Sequence, residues 1–378
     1  MRSGSWERRN EPSRSSRVPS SRPGSSVWRR TTTISARPWT GSSPTTKPSS
    51  REGSPRRCRS FGTCTATSTR RAAGSSEALE AGSDEPSETR AKLLDGAGYL
   101  AFEQSDDQAV GLLEASLSCA KEVGATSTTA FAAAHLGGVL AYAGSGGSDA
   151  QAALAVGDEA VRLARKAGDD YVLAVALNNL GAIHDMLGDT ERAAAYGEES
   201  LELRRRLGDM SGLALSLYNL ADGALRNGDA GRAAALYSEA AAIAGAIGDK
   251  RHLCFAHLGL ALVAHRERRW EDAETHARAS LRLAKEIGVK MAMAEAVFCL
   301  AGTAAATGDP GRAARLAAAG ELHYSRLTPE GMFLDDEVRA SIETAKATSD
   351  PRIWQEAWTT GSAMSLDEAA DYVQLGET

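Results

Sequence analysis

The chain has 378 residues and a formal net charge of -6. That balance is uneven: residues 1–76 hold 16 Lys or Arg and 3 Asp or Glu, a net charge of +13, so residues 77–378 carry -19. An anionic excess of this size argues against nucleic-acid binding by the second segment, because phosphate groups need clustered cations. The most apolar stretch, residues 130–143, is shorter than the roughly 20 residues that span a bilayer, so we expect no membrane segment.

Residues 1–76 are dominated by Ser, Arg, Thr, Pro and Gly, with few aliphatic side chains to offset the entropy lost on folding. We predict that they are disordered and low in complexity, with residues 77–85 as a linker. Three interpretations are open: a basic linker or tail, an organellar transit peptide, whose Arg- and Ser-rich composition is similar, and translation in a shifted reading frame.

We favour the shifted frame because of what it restores. In a G+C-rich gene, each intended codon can be built from the last base of one codon and the first two of the next. Residues 27–42 then read LEADHDNLRAALDWL, and residues 65–76 read GHLDEARRWLE and run into Ala78-Leu79-Glu80. Few bases in such codons are free to choose, so coherent stretches of this length are not expected by chance. We therefore predict that residues 1–76 are out of frame.

A 40-residue period organises residues 86–326. Glycines recur in two series with this spacing, and Arg268 stands at the one missing position: Gly168, Gly208, Gly248, Gly288; Gly188, Gly228, Gly308. Apolar and small residues recur in the same register: Leu180, Leu220, Leu260, Leu300; Ala193, Ala233, Ala273, Ala313. Apolar positions within each half lie three or four apart, which predicts helices. The fold class is therefore all-α, an α-α superhelix of about six two-helix units, of which the first two are degenerate.

The glycines and the residues beside them predict how each unit turns. Gly followed by Asp, as at Gly188 and Asp189, suits a left-handed helix end followed by the N-cap of the next helix. The small residues Gly181 and Ala193 are expected where two antiparallel helices approach closely.

Residues 327–378 are predicted to form a helical cap on the repeats. Asp350 and Pro351 are typical of a helix start, and we expect that helix to end at Gly361. Ser365 with Glu368 has the spacing of a capping box for the last helix.

The pair Leu180-Gly181, with Ala193 twelve positions later, resembles the tetratricopeptide repeat. Ala176-Leu177-Asn178-Asn179-Leu180-Gly181 and Glu198-Glu199-Ser200-Leu201 are similar to its longer-helix variety. The resemblance implies a solenoid whose first helices line a concave groove for a protein or peptide partner. It also implies groove contacts by Asn179 and Asn219, with His184 and Tyr218 as neighbours.

Two interpretations of Asn179 and Asn219 are open. Their amides can donate to and accept from a peptide backbone. Alternatively, they satisfy turns or neighbouring helices.

The C-terminal residues Trp358, Gly361 and Met364-Ser365-Leu366-Asp367-Glu368-Ala369 resemble the closing motif of bacterial LuxR-like signal-transduction ATPases of the STAND class. The two strings restored by the shifted frame resemble the segment that precedes the repeats in the same regulators. The resemblance implies that the chain is a C-terminal fragment of such a transcriptional regulator. The alternatives are a free-standing tetratricopeptide adaptor with a genuine basic tail and an inert gene remnant.

No motif for catalysis is found. The chain has no G-x-x-x-x-G-K-[ST] phosphate loop, no G-x-S-x-G elbow and no helix-turn-helix after Ala369, so we expect no enzyme activity and no cofactor. Four histidines in one repeat lack metal-ligand spacing and are interpreted as solvated or core residues: His252, His257, His265 and His276. No metal site is expected.

The remaining polar and thiol side chains are assigned to structure. Arg204-Arg205-Arg206 is interpreted as a solvated helix face. The odd set of five cysteines has no metal spacing, which favours a reducing cytoplasm, and Cys119, Cys254 and Cys299 are expected to be small core residues. The oligomeric state stays open.

Overall fold

The computed structural model describes residues 85–103, 106–143, 147–327 and 335–375. They contain fifteen helices and no strand. The predicted disorder and frame shift of residues 1–76, and nearly all of the predicted linker at 77–85, lie outside these ranges. None of the helices in the described ranges is both long enough and apolar enough to cross a membrane.

The described part of the chain begins with six helical hairpins, as the 40-residue period predicts. Their helices, in pairs, are α1 Glu88–Glu103 and α2 Ala109–Glu122; α3 Thr126–Ala143 and α4 Gly147–Ala167; α5 Asp170–Met186 and α6 Thr190–Leu207; α7 Met210–Arg226 and α8 Ala230–Ile247; α9 Lys250–Arg266 and α10 Trp270–Ile287; α11 Lys290–Ala306 and α12 Pro310–Leu327. Three helices follow: α13 Asp336–Thr348, α14 Pro351–Ser362 and α15 Leu366–Leu375. The predicted all-α superhelix is confirmed.

The predicted turn chemistry is confirmed as well. Gly188 has a φ of +79°, and the Asp189 carboxylate that follows accepts a hydrogen bond from the Arg192 backbone N–H at 3.2 Å. The turns at 228/229 and 308/309 repeat this arrangement. Arg268, which replaces a glycine of the series, takes the same left-handed conformation with a φ of +59°.

Neighbouring hairpins stack in two ways: the second helix of each hairpin packs on the first helix of the next, and the first helices also contact one another. Successive odd-numbered helices from α1 to α11 pack on one another, whereas α4, α6, α8 and α10 make no comparable contacts among themselves. Helices that lie closer together are on the inside of a curved stack. The odd-numbered helices α1 to α11 therefore form the concave side, which we call the inner face.

Small residues permit the close approach within hairpins. A Cβ added to Gly181 would lie 3.2 Å from the carbonyl oxygen of Ala193, which confirms the predicted contact of α5 with α6. Leu177 and Leu180 of α5 are both fully buried in the seam between hairpins. Burial of such side chains, at about 1.5–3 kcal/mol each, is what a hairpin gains by stacking on its neighbours.

The last three helices cover the end of the sixth hairpin. Helix α13 packs on α11, α14 packs on α12, and α15 contacts α10, α11 and α12. Ser365 and Glu368 exchange hydrogen bonds between side chain and backbone N–H at 3.2 and 2.8 Å, which confirms the capping box. The exact boundaries of the repeat and cap regions stay predictions.

One expectation for this region is wrong. Gly361 does not end its helix, because α14 continues to Ser362. It is buried where α14 crosses α12, and a Cβ there would overlap the backbone of Arg315. The glycine is needed for helix crossing.

Candidate functional site

A buried chain of polar side chains connects α5, α6 and α7. The Ser200 hydroxyl of α6 donates to the carbonyl oxygen of Ala174 at 2.8 Å, and its oxygen lies 3.1 Å from that of Ser216. Ser216 in turn donates to Oδ1 of Asn178 at 3.1 Å. Each of these hydroxyls has a partner, as buried polar groups require.

Three asparagines extend this chain across the inner face. Oδ1 of Asn178 accepts a hydrogen bond from Nδ2 of Asn219 at 3.2 Å, and Nδ2 of Asn178 donates to Asn179 at 3.3 Å. Nδ2 of Asn179 donates to the carbonyl oxygen of Ala134 in α3 at 2.9 Å. The predicted residues Asn179 and Asn219 are therefore brought together, with their amides bonded to neighbouring helices.

Tyr218 lies beside this cluster on α7. Its ring centroid is 5.9 Å from that of Tyr237 and 5.7 Å from that of Phe255. Tyr237 donates a hydrogen bond to Asp222, one turn after Tyr218. Burial raises the pKa of Asp222 to about 6, although bonds from the two tyrosines act in the opposite direction.

His184 does not join the other predicted site residues. Its side chain is buried inside the α5/α6 hairpin, with Nδ1 3.4 Å from the Asp189 carboxylate and the ring 5.5 Å from Tyr196. These contacts hold the turn between the two helices and leave little surface for a partner.

A pocket of about 140 Å³ lies between the α5/α6 and α7/α8 hairpins, and we call it the α5–α7 pocket. Its walls include Asn178, Gly181, Ala182, Asp185, Gly197, Asn219, Leu220 and Gly223, with Asn227, Asp229 and Arg232 at the exposed rim. Asp185 has a side chain that is 7% exposed and forms an ion pair with Arg226, which is 50% exposed. Sequence reasoning missed this pocket.

Arg204, Arg205 and Arg206 are predicted to form a solvated helix face, and this prediction is wrong for Arg204. Arg204 is buried: Nη1 lies 3.3 Å from the Asp209 carboxylate, and Nε donates to Ser200 at 3.3 Å. Burial lowers its pKa, since a desolvated guanidinium loses hydration. Arg205 and Arg206 are exposed, as expected, and pair with acids of neighbouring helices.

The four histidines of the fifth repeat do not converge. His257 and His276 face each other with 3.0 Å between their Nδ1 atoms, while His252 bonds to Asp249 at 2.7 Å. His265 is buried, with Nε2 3.1 Å from the Ser341 hydroxyl. Within the described ranges, no three His, Cys, Asp or Glu side chains are grouped as metal ligands would be.

The three cysteines of the repeats are buried free thiols, as predicted. Burial raises the pKa of Cys254 to about 11 and that of Cys299 to about 12. Thiols of this kind are unreactive at neutral pH, because the thiolate is the nucleophile. These positions belong to the core.

Residues 148–206 match the tetratricopeptide repeat family. They span all of α5, together with all but the first residue of α4 and all but the last residue of α6. A Rap protein solved in complex with Competence and Sporulation Factor has 13% sequence identity and a TM-score of 0.56, with 74% of this chain and 77% of the Rap chain covered. A STAND protein with a tetratricopeptide repeat sensor, PH0952 from Pyrococcus horikoshii, has 17% identity and a TM-score of 0.48, with 75% and 46% covered. No curated protein sequence matches the chain. The described helices form a tetratricopeptide-like α-α superhelix.

Proposed function

We propose that this chain is a non-catalytic module that binds a protein or peptide partner on its inner face. The observation that carries the proposal is the α5–α7 pocket beside the asparagine cluster, since concave sites with a few polar groups are where proteins hold ligands. The Rap structure with the same fold is itself a complex, and we take from it only that this architecture can hold a second molecule. The proposed location is the cytoplasm.

The proposed contact residues are Asn179, Asn219 and Tyr218, whose side chains are half-buried on the inner face. Asn219 donates one bond to Asn178, which leaves its carbonyl oxygen directed to no partner within the described residues. His184 was predicted with them, and we propose a supporting role for it because it fixes the turn after α5.

The test begins with selection of twelve-residue peptides by display on the purified full-length chain. Binding of a selected peptide is then measured by fluorescence anisotropy with the Asn219→Ala and Tyr218→Ala variants. We expect each variant to raise the Kd several-fold, with Glu202→Gln on exposed α6 as the control that leaves it unchanged. Failure to select any specific peptide, or equal Kd values for all variants, would reject the inner face as the binding surface.

We also propose that residues 77–378 come from a LuxR-like STAND regulator, with an upstream ATPase in the intact gene. The strings restored by the shifted frame and the residues from Trp358 to Ala369 support this origin. In such an assembly the module biases an ATPase switch by binding its partner with different affinity in two states. The alternative, a free-standing adaptor, predicts a continuous natural frame from Met1.

Sequencing of the gene upstream and through codon 80 distinguishes these origins. The regulator origin predicts a single small insertion or deletion near codon 76 and an overlapping upstream frame that encodes a phosphate-loop ATPase. A promoter and start site at Met1 with one intact frame would instead establish the adaptor. Either result leaves the proposed binding surface in place.

A further inference from the structure

Two positions of the repeat depart from the pattern where α5 meets α7. Asp185 stands where the following units have Leu225, His265 and Ala305. Gly223 stands where the neighbouring units have the branched residues Ile183, Val263 and Thr303. A residue that breaks the repeat pattern and packs less well than its counterparts indicates a functional position.

The two departures face each other. A Cβ added to Gly223 would lie 3.3 Å from Oδ1 of Asp185, so the missing side chain opens the space in front of the carboxylate. The remaining walls are mostly small residues, among them Gly181, Ala182 and Gly197. At about 140 Å³ the pocket holds one side chain, whereas pockets for drug-sized molecules measure roughly 300–1,000 Å³.

The chemistry of the pocket selects a cation. Asp185 is buried, and a buried carboxylate is stable only beside a positive charge. Arg226 supplies that charge from a half-exposed position, so its side chain can return to water when another cation takes its place beside Asp185. The oxygen atoms of Asn219 and Thr190 add acceptors to the walls. The net charge of -19 on residues 77–378 favours the approach of a basic partner.

We propose that the α5–α7 pocket binds one lysine or arginine side chain of a peptide partner, with Asp185 as its counter-ion and Arg226 as the internal group that it replaces. This inference rests on the proposed peptide-binding function and names the residue type that the partner presents. Asp185 fixes the charge of that residue, and Gly223 provides the room for it.

Peptides selected on the full-length chain test the proposal. They should share a Lys or Arg at one position, and replacement of that residue in the peptide by norleucine should raise the Kd about tenfold or more. In the Asp185→Asn variant the same replacement should have almost no effect, because the counter-ion is already gone. Peptides without a shared cation, or a full norleucine effect that survives in Asp185→Asn, would overturn the proposal and leave peptide binding intact.

Further variants separate the pocket from the fold. Gly223→Val restores the branched residue of the other units, so it should keep the melting temperature and remove the preference for a cation. Arg226→Ala should lower the Kd, because the ligand no longer competes with an internal cation, and an unchanged Kd would overturn that exchange. The control is Glu202→Gln, which removes the same charge as Asp185→Asn from an exposed residue of α6. If no peptide is selected at all, the proposed function fails together with this inference.

Discussion

Arg268 replaces a glycine of the repeat but keeps the backbone conformation of that glycine. Its backbone is left-handed, with a φ of +59°. The eight described glycines with positive φ share this conformation, and none of them has an atom within 4 Å of an added Cβ. A residue with a Cβ is strained there by about 1–2 kcal/mol. Glycine removes that strain and adds some entropy to the unfolded chain.

We therefore expect Arg268→Gly to stabilise the protein by about 0.5–1 kcal/mol, measured by urea denaturation. The matched control is Gly228→Ala at the equivalent turn of the preceding repeat, which has a φ of +78° and open space around it. That change should destabilise by about 1 kcal/mol. Destabilisation by Arg268→Gly would show that the arginine side chain contributes more than its backbone costs.

Asp222 makes stability depend on pH. Its pKa is raised from 3.8 to about 6 because burial disfavours the ionised carboxyl. The folded chain thus binds this proton more tightly than the unfolded chain, so the stabilisation present below pH 4 is lost as the pH rises through 6. The side chain is half-buried. We therefore expect the free energy of unfolding of Asp222→Asn to rise by about 1–3 kcal/mol relative to that of the wild type as the pH goes from 4 to 7.5.

Asp249 is expected to give the opposite pH dependence of stability. Burial alone would raise its pKa, but hydrogen bonds from His252 and Ser211 lower it to about 2. Its contribution is therefore present above about pH 4 and is lost as the pH falls through 2. Urea midpoints of both asparagine variants across this range check the assignment, and a parallel pH response of the two would contradict it.

At the scale of helices, a glycine contributes most to stability where two helices cross closely. Gly361 of α14 lies against the backbone of Arg315 in α12, so Gly361→Ala forces the two helices apart. We expect a loss of about 2–3 kcal/mol in the free energy of unfolding. Gly245→Ala is the matched control, because this glycine of α8 has no atom near the added carbon and should stabilise by about 0.5–1 kcal/mol.

The leucine that recurs every 40 residues holds neighbouring hairpins together. Leu180 is fully buried, whereas Leu220 is half-buried because the α5–α7 pocket lies beside it. We expect Leu180→Ala to cost about 3–5 kcal/mol and Leu220→Ala about 2–3 kcal/mol in chemical denaturation. An equal or larger cost at Leu220 would contradict the packing around the pocket.

The sequence predicts the elements well because their signals are local. Apolar spacing, Gly-Asp turns and the Ser365–Glu368 box each depend on residues a few positions apart, and the structure confirms them. The environments of Arg204 and Gly361 are not predicted by the sequence pattern, because both depend on how two helices pack. Arg204 is buried where α6 meets Asp209 at the start of the next hairpin, and Gly361 lies against the backbone of Arg315 in α12.

At the scale of the whole molecule, the repeat supplies a regular scaffold and its irregular positions supply the candidate site. Asn179 and Asn219 were found because they align at one repeat position. Asp185 and Gly223 were missed because each is unusual only in its own unit, and their proximity depends on how α5 stacks on α7. A site formed by two neighbouring repeats cannot be found by comparing equivalent repeat positions one at a time in the sequence.

The central claim is that stacked hairpins hold a partner on their inner face, at α5 and α7. Hydrogen exchange of the full-length chain, read by mass spectrometry with and without a saturating selected peptide, tests it most directly. We expect slower exchange in α5 and α7 and in the residues around the α5–α7 pocket, with α10 unchanged. Protection confined to the even-numbered helices, or to α13 through α15, would contradict the claim.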